Sequence, residues 1–266
     1  MDLLAVLLLG VVQGVTEWLP VSSSAQNLLL MLGLLKMDAL SAFSFNVVLH
    51  VGTLLAAAVR FRNEISRIFS DALKRRENRL TRFIVIATFF SALSGLPIYI
   101  FMKDFILEFT GTTVTLLIGL LLIATGFVLH YSKGKSGLKD VSSSSKWDGV
   151  ITGIFQGIAV LPGISRSGLT SAVLFLRGFK PEEALKLTFI ISIPAVFGLA
   201  FVESVEGGLT QIDLTSAVVG ITSSFIVGYA AIDVLMKISS RLRFDLFCIL
   251  FGLLAFSVSV ASLVLK

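Results

Sequence analysis

The segment Leu161–Thr170, LPGISRSGLT, interrupts a chain that is otherwise strongly apolar. Pro162 and Gly163 end the preceding helix, and a new helix starts directly after them. An arginine between two serines at a helix start offers a guanidinium fork, two hydroxyls and free backbone N–H groups to one anion. The segment therefore predicts either an anion site or a polar loop at a membrane surface. The residues such a site would use are Gly163, Ser165, Arg166, Ser167, Gly168 and Thr170.

A second copy of this pattern lies near the N-terminus. Gly10–Ser24 reads GVVQGVTEWLPVSSS, and Gly153–Ser167 reads GIFQGIAVLPGISRS. The two segments share two glycines, a glutamine, a Leu-Pro pair and a serine-rich continuation, and the second copy is one residue shorter between the glutamine and the proline. We therefore expect a single membrane domain over residues 1–266, built from two related halves at 1–140 and 141–266.

The composition excludes an ordinary soluble domain. Hydrophobic residues make up 55% of the 266 residues, charged residues make up 15%, and the mean hydropathy is +0.94. These values predict a polytopic membrane protein. The net charge of +5 is distributed over loops, so it does not indicate nucleic-acid binding. The single Cys248 permits no intrachain disulfide, and the apolar N-terminal run lacks the basic start of a cleaved signal peptide.

Apolar runs near the length that crosses the bilayer as a helix, about 20 residues, occur six times. We place the spans at about 43–60, 83–102, 112–131, 184–203, 214–236 and 244–265. Two interrupted pairs, at about 3–19 with 22–35 and 148–161 with 165–178, predict re-entrant hairpins that do not cross. The predicted fold is all-α, with six transmembrane helices and two re-entrant helical hairpins.

Charge alternates between the loops. Acidic residues mark one set of loops, at Asp104, Glu108, Glu203, Glu206 and Asp213. The positive-inside rule places the basic loops in the cytoplasm and both termini outside. Three crossings per half is an odd number, so the second half must be inverted, as in an inverted repeat. The basic set is Arg60, Arg62, Arg67, Lys74, Arg75, Arg76, Arg79, Arg82, Lys133, Lys135, Lys139, Lys146, Arg177, Lys180, Lys186, Lys237, Arg241 and Arg243.

Glu17 and Arg166 are charges inside the predicted membrane region, where an unpaired charge is costly. They either pair and lock the two hairpins together, or form a site in which Arg166 clamps phosphate and Glu17 handles a proton or a metal. The hydroxyls at the same two tips favour a site. Gln13 lies one helical turn from Glu17 on the same face. The first-tip hydroxyls are Ser22, Ser23 and Ser24.

Other polar residues have simpler interpretations. His50 lies within the first span, and either a structural role or a role in the site is open. We expect His130 to be structural, and Asp233 and Asp245 to form ordinary surface pairs with Lys237 and Arg243.

The motifs QxxxE at Gln13–Glu17, the following LPVSSS and PGISRSGLT resemble the undecaprenyl-pyrophosphate phosphatase family, the bacitracin-resistance type. The resemblance covers essentially the whole chain. It implies a multi-pass plasma-membrane enzyme that removes the terminal phosphate from a polyprenyl pyrophosphate and regenerates the monophosphate carrier for cell-wall polymers. The family's site residues fall here on Gln13, Glu17, Ser22, Ser23, Ser165, Arg166, Ser167 and Thr170.

One departure from the family matters. The family usually reads Ser-Ser-(Ser/Thr)-Gly-His after its first proline, whereas Ser22–Gln26 reads SSSAQ. Gln26 can form hydrogen bonds but cannot carry a proton near neutral pH. Either Glu17 transfers the proton alone, or His50 reaches the site, or the chemistry is slow.

The mechanism that follows gives each residue a role. Arg166 and the N–H groups at the tips hold the pyrophosphate. Ser23 is the expected nucleophile, with direct attack by water as the alternative, and Glu17 is the base or a ligand of Mg²⁺ or Ca²⁺. Gln13 and Gln26 orient the site, and Ser24 binds substrate. The alternative function is a polyprenyl-phosphate transporter with weak or no hydrolysis. The sequence leaves the oligomeric state open, with a homodimer as one alternative.

Overall fold

The computed structural model describes residues 2–74, 76, 78–108, 111–238 and 243–264, and these residues are predominantly helical. The basic residues Arg75 and Arg241 and residue 265 of the last predicted span lie outside this range. In chain order the helices are α1 (Leu3–Thr16), α2 (Ser23–Leu29), α3 (Ala39–Arg60), α4 (Arg62–Leu73), α5 (Arg79–Glu108), α6 (Gly111–Ser132), α7 (Lys146–Ile158), α8 (Arg166–Leu176), α9 (Pro181–Val205), α10 (Leu214–Ile238) and α11 (Phe244–Val264).

Six of the helices in the described part are long and apolar enough to cross a membrane. They are α3, α5, α6, α9, α10 and α11, and they confirm the six predicted spans to within a few residues. The protein is therefore an all-α polytopic membrane protein. The span α3 is the most enclosed by its neighbours, with 72% of its apolar window buried, so it forms the centre of the bundle.

The two interrupted pairs consist of four helices that are too short to cross. They have 14 residues in α1, 7 in α2, 13 in α7 and 11 in α8, whereas a crossing needs about 20. Helix α1 ends at Thr16, three residues before the predicted end at Leu19, and the chain turns after it. The Trp18 indole N–H donates to the carbonyl of Gly228 at 2.9 Å and Pro20 has no N–H to donate. After Leu29 the chain continues as a π-helical turn to Leu34.

Glycines of the two related segments, at different positions of the motif, bring helices into close contact. A Cβ at Gly14 would lie 2.7 Å from the amide nitrogen of Gly228, and α1 packs along α10 there. A Cβ at Gly153 would lie 2.4 Å from the carbonyl oxygen of Ala87, where α7 packs along α5. Side chains larger than hydrogen are therefore excluded at both contacts, as in other small-residue helix interfaces.

The predicted basic loop 60–82 contains a helix that the charge pattern did not reveal. In α4, Ile65 and Ile68 pack against the buried core, whereas Phe69 and Leu73 are exposed. The spacing of the two isoleucines, three residues apart, was the available signal for an amphipathic helix.

The expectation of ordinary surface pairs is wrong for Asp245. Its side chain is buried at the start of α11, and it accepts a hydrogen bond from Lys133 at 2.8 Å. His130 Nδ1 lies 3.0 Å from the same carboxylate, and Arg243 Nε lies 3.2 Å from it. This cluster joins the end of α6 to α11, so His130 has the structural contact that was expected. Asp233 is exposed and pairs with Arg60.

Candidate active site

The carboxylate of Glu17 is the centre of the polar cluster. Glu17 caps the end of α1 and is 5% exposed. Its Oε1 accepts from Arg166 Nη2 of α8, and its Oε2 accepts from Gln13 Nε2 at 2.9 Å and from Ser23 Oγ at 2.5 Å. His50 Nε2 lies 3.4 Å from Oε2. One carboxylate therefore joins both short helix pairs and the central span α3.

Gln13 donates to the Glu17 carboxylate and fixes its orientation. The residue is fully buried, and its Oε1 accepts from Asn27 Nδ2 at 2.8 Å. Its Nε2 also lies 3.3 Å from Thr53 Oγ1 of α3. Because each end of the Gln13 amide is engaged, the amide cannot rotate freely, and Glu17 is held in one orientation.

His50 reaches the same cluster. Its Nδ1 lies 2.7 Å from the backbone oxygen of Asn46, so this nitrogen must carry the hydrogen. In the neutral ring Nε2 is then an acceptor. It faces Ser24 Oγ at 3.3 Å and Ser23 Oγ at 3.5 Å. The structure thus places an imidazole beside the hydroxyls, as one of the sequence alternatives requires.

The first tip is a tight turn followed by a capped helix. Ser22 has a left-handed backbone with φ of 59°, and its hydroxyl accepts from the amide of Ala25 at 3.4 Å. Gln26 Nε2 donates to the carbonyl of Val21 at 3.3 Å. Gln26 therefore supports the turn, and it does not line the cavity described below.

The second tip repeats this design with different residues. Ser165 caps α8, and its Oγ accepts from the amide of Gly168 at 3.1 Å. Ser167 Oγ donates to the carbonyl of Leu19 at 2.9 Å, which fastens the second tip to the first.

Gly163 and Thr170 support the second tip from outside the cavity. Gly163 has φ of +105°, and a Cβ there would lie 2.7 Å from the carbonyl oxygen of Ile118. Thr170 Oγ1 donates to the carbonyl of Arg166 at 2.6 Å. A Cβ at Gly168 would contact Pro20 of the first tip at 3.1 Å. Small or short side chains are therefore needed here for packing.

Arg166 keeps unused capacity for an anion. Its guanidinium has five N–H donors, and one of them donates to Glu17. No other described residue accepts a hydrogen bond from this side chain, which is 18% exposed. Among the backbone N–H groups in the first turn of α8, that of Gly168 donates to Ser165 Oγ, whereas those of Arg166 and Ser167 have no intrahelical partner because of their position. The Arg166 guanidinium and Ser23 Oγ contact the same carboxylate, so these donors lie near the serines of both tips.

A cavity of about 250 Å³ runs outward from this cluster. Along α3 its lining passes from His50 back to Phe43, and along α9 from Pro194 forward to Val202, away from the helix ends that carry the basic loops. The polar end is lined by Glu17, Ser22, Ser23, Ser24, His50, Ser165, Arg166 and Ser167, whereas Gln13, Gln26, Gly163, Gly168 and Thr170 do not line the cavity. The outer part is mainly apolar, with Phe43, Val47, Leu96, Val196, Leu199 and Val202.

The donor set fits a divalent cation only in part. Across the described ranges no group of three His, Cys, Asp or Glu side chains could hold a metal. Glu17 is the one carboxylate that lines the described cavity. Mg²⁺ commonly binds through one or two carboxylates together with substrate phosphates. The residues therefore suit a cation shared with a phosphate ligand, not one held by the protein alone.

The sequence analysis did not identify two asparagines that lie in this region. Asn27 donates to Gln13, and Asn46 lines the cavity beside His50. Both are amides within apolar helices, and such residues are candidates for function by position alone.

The fold and the polar cluster together define a class: a polytopic membrane protein with a carboxylate, hydroxyls, an imidazole and a guanidinium at one end of an apolar cavity. Residues 6–256 match the family described as "Bacitracin resistance protein BacA". The chain belongs to this family.

Curated relatives support the assignment over nearly the full length. A protein of Methanothrix thermoacetophila named "Undecaprenyl-diphosphatase" is 42% identical, and the match covers 97% of this chain and 98% of the relative. Relatives with the same name from Methanopyrus kandleri and Methanococcoides burtonii are 38% and 35% identical. These matches cover 98% and 94% of this chain, and 97% and 95% of the relatives.

The Glu17→Gln substitution tests the buried pair. It leaves the Arg166 guanidinium without a counter-charge in a water-poor site, so we expect a loss of about 3–5 kcal/mol in the free energy of unfolding. The matched control is Asp233→Asn, which breaks the exposed pair with Arg60 and should cost less than about 1 kcal/mol. Denaturation of the purified variants gives both values, and equal effects would contradict a buried, charge-paired Glu17.

Proposed function

We propose that the protein hydrolyses a polyprenyl pyrophosphate of the undecaprenyl type to the monophosphate and inorganic phosphate. The observation that carries the proposal is the 2.5 Å contact from Ser23 Oγ to Glu17 Oε2, beside Arg166 and at the polar end of an apolar cavity. An isoprenoid chain suits the apolar part, and a pyrophosphate suits the donors at its inner end. The product would return to cell-wall or glycan synthesis as the lipid carrier.

Arg166 binds the pyrophosphate in this proposal. A phosphate oxygen competes with Glu17 for the guanidinium, whose planar fork matches two phosphate oxygens. The first-turn N–H groups of α8 point to the same place. Together they stabilise the negative charge that develops on the phosphoryl oxygens during transfer.

Ser23 supplies the nucleophile. Its Oγ attacks the terminal phosphorus while Glu17 takes the hydroxyl proton, and the bond from that phosphorus to the bridging oxygen breaks. Polyprenyl monophosphate leaves, and water then hydrolyses the phosphoserine to release phosphate and restore the hydroxyl. In the alternative, Glu17 activates a water that attacks the phosphorus directly.

His50 carries a proton in either route. With Nδ1 held by the Asn46 carbonyl, Nε2 is free to accept a proton from Glu17 or from a water near Ser24. This placement supports the idea that His50 replaces the histidine the family usually has where this chain has Gln26.

A divalent cation, Mg²⁺ or Ca²⁺, is part of the proposal. Glu17 would hold it jointly with phosphate oxygens of the substrate. When bound, the cation would neutralise phosphate charge and act as a Lewis acid.

We also propose that the two short helix pairs are re-entrant hairpins and that the halves form an inverted repeat. Each half packs its first short helix against a span of the other half, α1 on α10 and α7 on α5. The glycines at these contacts, Gly14 and Gly153, belong to the same repeated motif. Matching contacts of this kind are expected when one half repeats the other in inverted orientation.

The proposed membrane is the plasma membrane, with the basic loops in the cytoplasm and both termini outside. The cavity then opens toward the outer face, since its lining runs away from the basic ends of α3 and α9. The homodimer remains a prediction, which light scattering of the protein–detergent complex would test. The transporter alternative gains no support from relatives named as diphosphatases.

Replacing Arg166 tests the pyrophosphate clamp. Arg166→Lys keeps the charge but loses the planar fork, so we expect turnover to fall by at least about 100-fold at near-normal thermal stability. Arg60→Lys, at the exposed pair, is the control and should leave turnover unchanged. Phosphate release and unfolding temperature are measured on the same samples. Full turnover in Arg166→Lys would reduce Arg166 to a structural partner of Glu17.

Replacing His50 tests the proton carrier. His50→Gln keeps a hydrogen-bonding side chain without an ionisable group, so we expect a loss of about 10²–10⁴-fold in turnover, the usual range for general acid–base catalysis. The control is His130→Gln, which lies at the Asp245 cluster outside the cavity. An unchanged rate in His50→Gln would leave Glu17 or a metal-bound water as the only proton carrier.

The orientation is tested by cysteine labelling of intact cells, with Cys248 replaced by serine. A single cysteine at Ser136, in the loop that joins the halves, should resist an impermeant reagent until the cells are opened. A cysteine at Thr210, beyond the end of α9, should react at once. The reverse pattern would overturn the proposed topology.

A further inference from the structure

Asn46 has a buried side chain without a partner. The residue is 5% exposed in α3, and its Oδ1 is enclosed with no hydrogen-bond partner among the described residues. Its Nδ2 has no hydrogen-bond acceptor in that part of the chain either, and unlike Oδ1 it is not enclosed, so its N–H groups are open to the cavity that Asn46 lines. Amides in the interior of folded proteins are nearly always bonded, because leaving one unbonded is unfavourable. Unbonded N–H donors at the wall of a ligand cavity indicate an acceptor that arrives with the ligand.

The position of Asn46 in the cavity suggests which part of the ligand it meets. Asn46 precedes His50 by four residues, so it lies just over one helical turn, about 6 Å, farther along α3 toward the apolar part of the cavity. Phe43, almost one turn farther again, lines the apolar part. Along this one face the lining therefore changes from imidazole to amide to aromatic ring.

That order matches the order of groups in a polyprenyl pyrophosphate. If the terminal phosphate lies at Arg166 and Ser23, the isoprenoid chain extends toward Phe43, and the lipid-side phosphate comes between them. We propose that Asn46 is a substrate-binding residue whose carboxamide N–H donates to the lipid-side phosphate. The inference rests on the proposed function, because it assumes a pyrophosphate with its terminal phosphate at the inner end.

Two features of the surroundings support a phosphate contact at this level. The backbone oxygen of Asn46 accepts from His50 Nδ1 at 2.7 Å, so the imidazole is held about one helical turn from Asn46 on the same side of α3. Thr88 of α5 also lines the cavity, and its enclosed hydroxyl has no partner in the described ranges. A neutral amide and a hydroxyl can donate to a phosphate oxygen without placing another charge in an apolar wall.

The test uses Asn46→Leu, which has a similar size and no amide, and Asn46→Asp, which places a carboxylate at the same point. The control is Thr152→Val, which removes a buried hydroxyl on α7 that is also unpartnered but lies outside the cavity. The probe is a polyprenyl methylenediphosphonate, which keeps both phosphorus groups and cannot be hydrolysed at the bridge. Its dissociation constant and the unfolding temperature of the ligand-free protein are measured for each variant.

We expect Asn46→Leu to weaken binding of the probe at least about tenfold, as for the loss of one hydrogen bond to a charged group. The unfolding temperature should stay the same or rise, because an unbonded amide is removed. Asn46→Asp should weaken binding further by repulsion, and Thr152→Val should bind as the wild type does. Binding within twofold of wild type in Asn46→Leu, or weaker binding with a parallel fall in unfolding temperature, would overturn the inference.

Phosphate release by the wild type separates this inference from the proposed function. If the wild type binds the probe but releases no phosphate from the corresponding pyrophosphate, the hydrolase proposal fails, and the binding comparison still decides the role of Asn46. If it releases phosphate and Asn46→Leu binds normally, only the inference fails.

Discussion

The structure depends on one buried carboxylate that both halves of the chain share. Glu17 belongs to the first short helix pair and takes the guanidinium of Arg166 from the second. A charge in a water-poor interior requires a partner, so neither tip can move away without leaving the other charge unpaired. The same carboxylate contacts the Ser23 hydroxyl, so a hydroxyl and a guanidinium meet at one point, as the proposed hydrolysis requires. The packing of the two tips and the proposed chemistry therefore both depend on the pair between Glu17 and Arg166.

The glycines and prolines make the contact geometrically attainable. Pro20 and Pro162 end the first helix of each pair, so chain turns with free donors occur inside the bundle. Gly14 and Gly153 let those first helices approach spans of the other half at backbone distance. The apolar spans then enclose the tips and form the outer part of the cavity. Polar groups can be buried in this way only because the chain itself supplies most of their partners.

The sequence was enough to predict the six spans and the residues at the centre of the polar cluster. The six apolar runs, the QxxxE spacing and the paired motifs are local signals, and the structure brings Glu17, Ser23, His50 and Arg166 together. It was insufficient where tertiary contacts decide. Gln26 turns toward the Val21 carbonyl, and Asp245 is buried beside Lys133, just after α6, and Arg243, just before α11. The partners of Gln13 other than Glu17, Asn27 and Thr53, also come from helices that no spacing rule connects to it.

The central claim is that Arg166 exchanges its Glu17 partner for the pyrophosphate. The most direct measurement is a structure of the purified protein with a non-hydrolysable polyprenyl diphosphonate bound. The account predicts two guanidinium nitrogens of Arg166 within about 3 Å of the terminal phosphonate oxygens, with Ser23 Oγ facing that phosphorus. A ligand bound elsewhere, with the pair between Arg166 and Glu17 unchanged, would contradict it.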